Sequence, residues 1–179
     1  MQTRSLLYGT WEILEVVLIA AITVFLIRAL IVQPFLVSGL SMFSTFRDGD
    51  YVLVDEITYR LRSPGRGDVV VFRYPLNRKL FYIKRIIAAP GDRVVVESGQ
   101  VFVNGKKIKE DYLDKGITSA GRLNAVVQDD ELYTFGDNRP HSYDSRNFGA
   151  VPFKDIIGMV RVRLLPLTSA RVIERPVYE

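Results

Sequence analysis

Residues 93–107 read RVVVESGQVFVNGKK, two runs of β-branched and aromatic residues with Ser98-Gly99 between them and Asn104-Gly105 behind them. Asn-Gly behind an apolar run is a strong signal for the tight turn of a β-hairpin. Serine and glycine also favour a change of chain direction. The pattern therefore predicts short strands over Arg93–Glu97 and Gln100–Val103, each bounded by a turn.

Further short runs rich in Val, Ile, Tyr and Phe lie on both sides of this stretch. The strands predicted from them are Tyr51–Asp55, Val69–Tyr74, Leu80–Ile87, Leu132–Phe135 and Met159–Leu165. Many short strands with tight turns indicate a mainly β fold, a coiled antiparallel sheet, sandwich or barrel. Residues 110–131 are polar and lack clear periodicity, so we expect a loop or a small excursion there.

The N-terminal part of the chain differs, because residues 11–32 are nearly all apolar. Their only charges are Glu12, Glu15 and Arg28. A helix of this length spans roughly 33 Å, against a hydrocarbon core of about 30 Å. The acidic residues and the arginine behind the apolar core fit a cleaved signal peptide badly. We therefore expect a tail and membrane-anchor helix over residues 1–33 and a β domain over residues 34–179, with a soluble core helix as the alternative.

Composition excludes several classes of protein and site. The chain has 179 residues, 48% of them apolar, which excludes a disordered tail. It has no cysteine and one histidine, so disulfides, cysteine nucleophiles and the usual zinc sites are excluded. The formal charge of +4 is mild and scattered and makes no case for nucleic acid. We expect neither a metal nor a cofactor.

A candidate nucleophile and a candidate base stand in different parts of the chain. Ser38-Gly39-Leu40-Ser41-Met42 lies just beyond the predicted anchor, but turn serines are common and a serine nucleophile needs a base. Lys84 lies on a predicted strand whose apolar residues share its face. Desolvation there would lower the lysine pKa toward the ~7–8 that suits a general base. An edge-strand lysine that reaches water is the plainer alternative, and His141 in a polar loop is the other candidate base.

A third segment, residues 136–146, has the sequence GDNRPHSYDSR and packs polar groups directly behind a predicted strand. If it supports an active site, Ser142 is suited to hydrogen-bond a lysine amine, and Asp144 to pair with Arg146. The same pairs would equally cross-link an ordinary surface loop.

Together these segments resemble the bacterial type I signal peptidases, membrane-bound proteases of the Ser–Lys clan. Four parts match in the family's order: the apolar N-terminal segment, SGLSM at 38–42, KRIIAAPGD at 84–92, and the polar loop at 136–146. The resemblance covers most of the chain, up to residues 158–167. It implies a barrel-like β catalytic domain on the extracytoplasmic side of the plasma (inner) membrane, held by a single transmembrane helix.

The resemblance also implies an activity, its partners and a role for each matching residue. The enzyme would remove signal peptides from secretory preproteins after small residues in an Ala-x-Ala pattern, at the lipid bilayer. The implied roles are Ser41 as nucleophile, Lys84 as neutral general base, Ser38 as oxyanion donor with the Ser41 N–H, Ser142 as the group that orients the lysine, and Asp144 with Arg146 as the brace. The preprotein would bind as an added strand at the edges Phe35–Ser38 and Leu80–Lys84. The candidate substrate-pocket residues are Phe35, Leu36 and Tyr82.

Three positions depart from the family pattern: Ser44 stands where proline is usual, Phe46 where leucine is common, and Ala88 where glycine is usual. Loss of the proline would loosen the turn behind the nucleophile, and alanine would be strained at 88 if φ were positive there. Two other classes remain open. A self-cleaving Ser–Lys regulatory protease is disfavoured by the apolar N-terminus, and a non-catalytic relative that binds exported chains is disfavoured by retention of the serines and the lysine.

Overall fold

The computed structural model describes residues 11–24, 32–176 and 178. Residues 11–24 form a helix, α1, whose side chains are exposed. Within the described residues, no helix combines the length and the apolar character that a membrane crossing requires. The predicted tail, residues 1–10, and residues 25–31 of the predicted anchor lie outside the described part of the chain.

The rest of the described chain is built mainly of short strands. In chain order they are β1 (Val32–Leu36), β2 (Tyr51–Asp55), β3 (Val69–Arg73), β4 (Phe81–Ala88), β5 (Arg93–Glu97), β6 (Gln100–Val103), β7 (Lys106–Lys107), β8 (Leu123–Val126), β9 (Glu131–Phe135), β10 (Val151–Pro152), β11 (Ile156–Leu165) and β12 (Arg171–Val172). Two single-turn helices lie between them, α2 (Thr58–Leu61) and α3 (Ser145–Phe148).

The strands form two antiparallel sheets. In the larger sheet the order is β1-β2-β11-β3-β4-β9-β10, with β12 beside β11, and in the smaller sheet it is β7-β6-β5-β8. Irregular register in the pairs of β11 and of β4 with β9 bends the larger sheet. The mainly β, antiparallel class predicted from the sequence is confirmed. β2, β5 and β6 have the predicted bounds.

Two strands lie where the sequence pattern predicts other structure. β1 begins at Val32, inside the apolar run, and contains Pro34. Proline is tolerated there because β1 is an edge strand, paired with β2 alone. β8 lies inside residues 110–131 and pairs with β5, so this excursion completes the smaller sheet.

The apolar side chains pack in clusters that support the elements around the candidate site. One cluster lies under β1, β2 and β3; its buried members are Val37, Met42, Phe46, Val52, Val54, Val69, Val71 and Val160. Phe46, at a departure from the family pattern, is fully buried in it. Ala88 is a buried residue of β4, and the positive φ angles among described non-glycine residues are at Ser98, Asn104 and Asp130. Alanine is therefore unstrained at position 88.

Candidate active site

The structure brings the candidate nucleophile and the candidate base into contact. Ser41 lies in the turn after β1, and Lys84 lies in the middle of β4. The Lys84 Nζ is 2.6 Å from Ser41 Oγ and 3.0 Å from the Ile83 carbonyl oxygen. Lys84 is 4% exposed. Its burial lowers the pKa to about 8, and the negative charges of Asp144 and Asp137 offset only part of that effect.

The turn that carries Ser41 is held by its own backbone and by the core. Gly39 has a φ of 95°, which favours glycine, and its N–H donates to Asp48 Oδ1 at 2.7 Å. The N–H of Thr45 donates to the Met42 carbonyl at 2.8 Å. The Ser44 Oγ is buried and, among the described residues, has no hydrogen-bond partner. The turn therefore closes by backbone hydrogen bonds, with a serine where the family usually has proline.

The polar loop at 136–146 lies directly against this turn. The Asn138 N–H donates to the Ser41 carbonyl at 2.9 Å, and Asn138 Nδ2 donates to the Leu40 carbonyl at 3.0 Å. A Cβ at Gly136 would lie 2.4 Å from the Ser41 carbonyl oxygen and 2.3 Å from Ser142 Oγ. Glycine is therefore required at position 136, because the two backbones approach too closely for any side chain.

Asp144 and Arg146 form a buried ion pair within this loop. Arg146 Nε and Nη2 donate to the two carboxylate oxygens of Asp144, each at 2.8 Å. The carboxylate also accepts from the Gly136 N–H at 3.0 Å and caps α3 in a reciprocal capping box with Asn147. Arg146 Nη2 donates further to the Arg139 carbonyl at 2.7 Å. This pair therefore fixes both ends of the loop.

The other two predicted serines form no hydrogen bond with the lysine amine. Ser142 Oγ is buried beside Gly136 and has no hydrogen-bond partner within the described residues, Lys84 Nζ included. Ser38 is exposed and lines the cavity in front of Ser41.

The opposite face of β4 carries a second buried cation, Arg85, which is 2% exposed. Arg85 Nε and Nη2 donate to the two carboxylate oxygens of Asp137 at 2.9 and 2.7 Å. The Thr45 hydroxyl also donates to Asp137, and Arg85 Nη1 donates to the Gly67 carbonyl at 3.0 Å. The cluster thus links β4, the nucleophile turn and the loop at 136–146 behind the reacting groups.

A groove of about 330 Å³ opens in front of Ser41 and Lys84, between two strand edges. One edge is that of β1. The other is the first half of β4, because the pairing of β4 with β9 begins only at Arg85. The rings of Phe35 and Phe81 contact one another at 5.9 Å between centroids, and Tyr82 stacks on Tyr74 at 4.7 Å. The groove therefore has an apolar lining and unpaired backbone edges.

Two predicted groups, Leu36 and His141, line this groove and form no hydrogen bond with Ser41 Oγ or Lys84 Nζ. Leu36 is 56% exposed on the β1 edge. His141 is exposed and lines the groove, and its Nδ1 lies 3.2 Å from Asn138 Oδ1. The structure thus places the lysine, and not the histidine, in hydrogen-bond contact with Ser41 Oγ.

Comparison with known proteins identifies the family. Residues 10–165 match the profile of the family described as signal peptidase, peptidase S26. The chain belongs to this family. It is 38% identical over 166 residues to the probable signal peptidase I-2 of Synechocystis, covering 89% of this chain and 75% of that protein. It is 33% identical over 171 residues to signal peptidase I U of Bacillus subtilis, covering 90% of each, and 33% identical over 178 residues to signal peptidase IB of Staphylococcus aureus, covering 88% and 92%.

The resemblance inferred from the motifs is therefore confirmed, and this signal peptidase is a serine peptidase that removes signal peptides. Sequence reasoning missed the partners that surround its reacting groups. Arg85 follows Lys84 directly, and Asp137 lies in the same polar loop as Ser142, so their place in the two motifs was an available signal. Glu110, which pairs with the buried Arg139, lies in a segment predicted as a loop and gave no signal. Within the described residues, no group of three His, Asp or Glu side chains is arranged to hold a metal ion.

Proposed function

We propose that this signal peptidase cleaves preproteins with Ser41 as the nucleophile and Lys84 as a neutral general base. The observation that carries the proposal is the 2.6 Å contact between Lys84 Nζ and Ser41 Oγ, made by a lysine that is 4% exposed. Its pKa, lowered to about 8 by burial, leaves a usable fraction of the amine neutral near pH 7.

In the acylation step, the Ser41 oxygen forms a bond to the scissile carbonyl carbon while its proton passes to the Lys84 amine. The resulting ammonium returns that proton to the leaving amine as the peptide bond breaks, which leaves the signal peptide as an ester on Ser41. Water then attacks the ester with Lys84 again as base, and this restores the serine hydroxyl. The proton balance closes on the lysine alone.

The carbonyl oxygen becomes negatively charged during each attack and requires hydrogen-bond donors. Ser38 lies exposed in the groove, three residues before the nucleophile, and supplies a hydroxyl. The Ser41 N–H supplies the second donor. Removal of one such donor typically lowers the rate by about 10²–10³. Ser142, with its buried hydroxyl beside Gly136, is the group that would orient the lysine amine as substrate binds.

The preprotein binds in the groove as an extended strand between the β1 edge and the first half of β4, both of which have unpaired backbone groups. Successive side chains of a strand point to opposite sides, so alternate residues enter the groove. Phe35, Leu36 and Tyr82 give the groove an apolar lining, which suits apolar side chains such as alanine at alternate positions of the bound strand. This geometry favours the Ala-x-Ala pattern.

Removal of signal peptides from exported preproteins also fits an enzyme that is held at a membrane. The apolar run from Trp11 to the start of β1 acts as a single-pass anchor in the plasma membrane, and the β domain lies on the extracytoplasmic side, where exported preproteins emerge. The exposed apolar side chains along α1, Leu18, Ile19 and Ile22 among them, support a lipid contact.

The test is cleavage of a preprotein with an Ala-x-Ala site in liposomes by the parent chain and by Ser41→Ala and Lys84→Ala. The parent should cut at that site, and each variant should lose at least about a thousandfold in rate. Lys79→Ala, which changes an exposed lysine on the same hairpin, should behave like the parent. Near-normal turnover by Lys84→Ala would exclude the lysine base, and a folded parent without activity would favour a binding protein.

A further inference from the structure

Arg139 is buried behind the active-site loop, with its side chain 0% exposed. Its Nε donates to the Gly136 carbonyl at 2.9 Å. Of its terminal nitrogens, one donates to Glu110 Oε2 at 3.2 Å and to the Ser119 hydroxyl, and the other donates to Glu110 Oε1 and to Tyr112 Oη at 3.4 Å. A guanidinium has five N–H donors. Each donor of this arginine therefore has an acceptor, and Glu110 provides the only carboxylate among those acceptors in the described chain.

Glu110 reaches Arg139 from outside the larger sheet, which carries Lys84. It lies between β7 and β8 of the smaller sheet. Its carboxylate is fixed from behind by Tyr112, whose hydroxyl donates to Glu110 Oε1 at 2.8 Å and lies 3.0 Å from the Tyr178 hydroxyl. The ring of Tyr112 also lies under Arg85, with Cζ 4.0 Å from the ring centre. This segment therefore contacts both buried arginines that hold the loop at 136–139.

The loop that Arg139 holds touches the nucleophile through its backbone. The Asn138 N–H donates to the Ser41 carbonyl at 2.9 Å, and Gly136 is too close to that carbonyl to carry a side chain. A shift of the loop must therefore move Ser41, whereas Lys84 is fixed by its strand. A displacement of about 1 Å between reacting groups is enough to lower a rate by roughly a hundredfold.

We infer that Glu110 is a positioning residue for the peptidase reaction, which acts through Arg139 and the loop backbone on the distance between Ser41 and Lys84. The inference rests on the proposed roles of those two residues. Without the carboxylate, the buried guanidinium loses two acceptors and its counter-charge, so it must move toward water and take the Gly136 carbonyl with it.

The test compares Glu110→Ala and Glu110→Gln with the parent chain in the liposome assay, with rates expressed per active site titrated at Ser41. Glu110→Ala should lower kcat by about 10- to 100-fold and leave KM within about twofold, because the groove edges are unchanged. Glu110→Gln keeps an acceptor for Arg139 and should recover most of the loss. Asp111→Asn changes the neighbouring carboxylate, which is 74% exposed, and should match the parent.

A second readout, amide hydrogen exchange at Asn138, does not depend on activity. Exchange should be faster in Glu110→Ala, because the Asn138 N–H loses its fixed acceptor on Ser41. If Glu110→Ala has the parent's kcat per titrated site, or the parent's exchange at Asn138, the positioning role is overturned. If Glu110→Ala does not fold, Tyr112→Phe keeps the ring under Arg85, removes the hydroxyl that fixes Glu110, and should lower kcat a few-fold with faster exchange. Loss of cleavage by the parent itself would instead count against the proposed function.

Discussion

Lys84 and Arg85 are neighbours on one strand and are equally buried, at 4% and 2% exposure, but their surroundings are opposite. Lys84 Nζ contacts a hydroxyl and a carbonyl oxygen, and burial lowers its pKa to about 8. Burial also acts to lower the pKa of Arg85, but the bidentate carboxylate of Asp137 outweighs it and raises that pKa. Burial alone therefore does not decide the direction of a pKa shift. A bidentate carboxylate can reverse it.

The two carboxylates nearest the lysine are already paired with arginines. Asp137 is held by Arg85, and Asp144 is held by Arg146. Each carboxylate still favours the charged lysine, but less than desolvation disfavours it. The net result is the lowered pKa of about 8, which leaves a usable fraction of the Lys84 amine neutral near pH 7, as a general base requires.

The largest expected effect comes from removal of the paired cation, Arg85. Arg85→Met leaves the Asp137 carboxylate buried without its cation, so the free energy of unfolding should fall by about 3–5 kcal/mol. Arg161→Met removes an exposed arginine from a surface pair with Asp55 and should cost about 0–1 kcal/mol. Denaturant unfolding of both variants measures the difference. Equally small losses of unfolding free energy would contradict a stabilising role for the pair of Arg85 and Asp137.

Removal of the unpaired cation, Lys84, should change the stability of the fold in the opposite direction. The pKa of Lys84 falls from 10.5 to about 8 on folding, so the protonated lysine opposes folding at pH 7. At about 1.36 kcal/mol per pH unit, Lys84→Met should gain up to about 3 kcal/mol in stability at pH 7.

That gain is present in full below pH 8 and shrinks as the pH rises from about 8 towards 10.5, because the parent lysine is then neutral in the folded state and increasingly neutral in the unfolded state. Denaturant unfolding at several pH values tests the sign. A loss of stability at pH 7, or a gain that does not change with pH, would contradict the desolvated lysine.

The smallest effect concerns the rate of the parent enzyme. Below the pKa of about 8, kcat/KM should rise about tenfold per pH unit as Lys84 loses its proton, and it should level off above that pH. Asp144→Asn removes a charge that raises the pKa of Lys84, so the midpoint should move to lower pH. Preprotein cleavage by the parent and by Asp144→Asn, followed as a function of pH, checks both expectations. A parent profile that is flat from mildly acidic to alkaline pH would exclude a lysine base.

Much of the fold was predictable, because its signals are local. β2, β5 and β6 have the predicted bounds, since each is a short run rich in β-branched or aromatic residues, and Ser98-Gly99 and Asn104-Gly105 mark the ends of β5 and β6. β8 was not predicted, because residues 110–131 are polar and lack clear periodicity, and the strand is stabilised by its pairing with β5. The single-pass anchor predicted for residues 1–33 stays a prediction.

The sequence by itself determined which residues are available for catalysis, since serine, lysine and the polar loop stand in recognisable order along the chain. The tertiary structure decided which of them meet. Ser41 and Lys84 are 43 positions apart, and Arg139 and Glu110 are 29 apart. Contacts over such separations depend on how the sheets close. Only the closed fold removes water from Lys84 while it supplies a carboxylate to Arg85, so desolvation and pairing, which set the chemistry of both cations, arise from packing and not from local pattern.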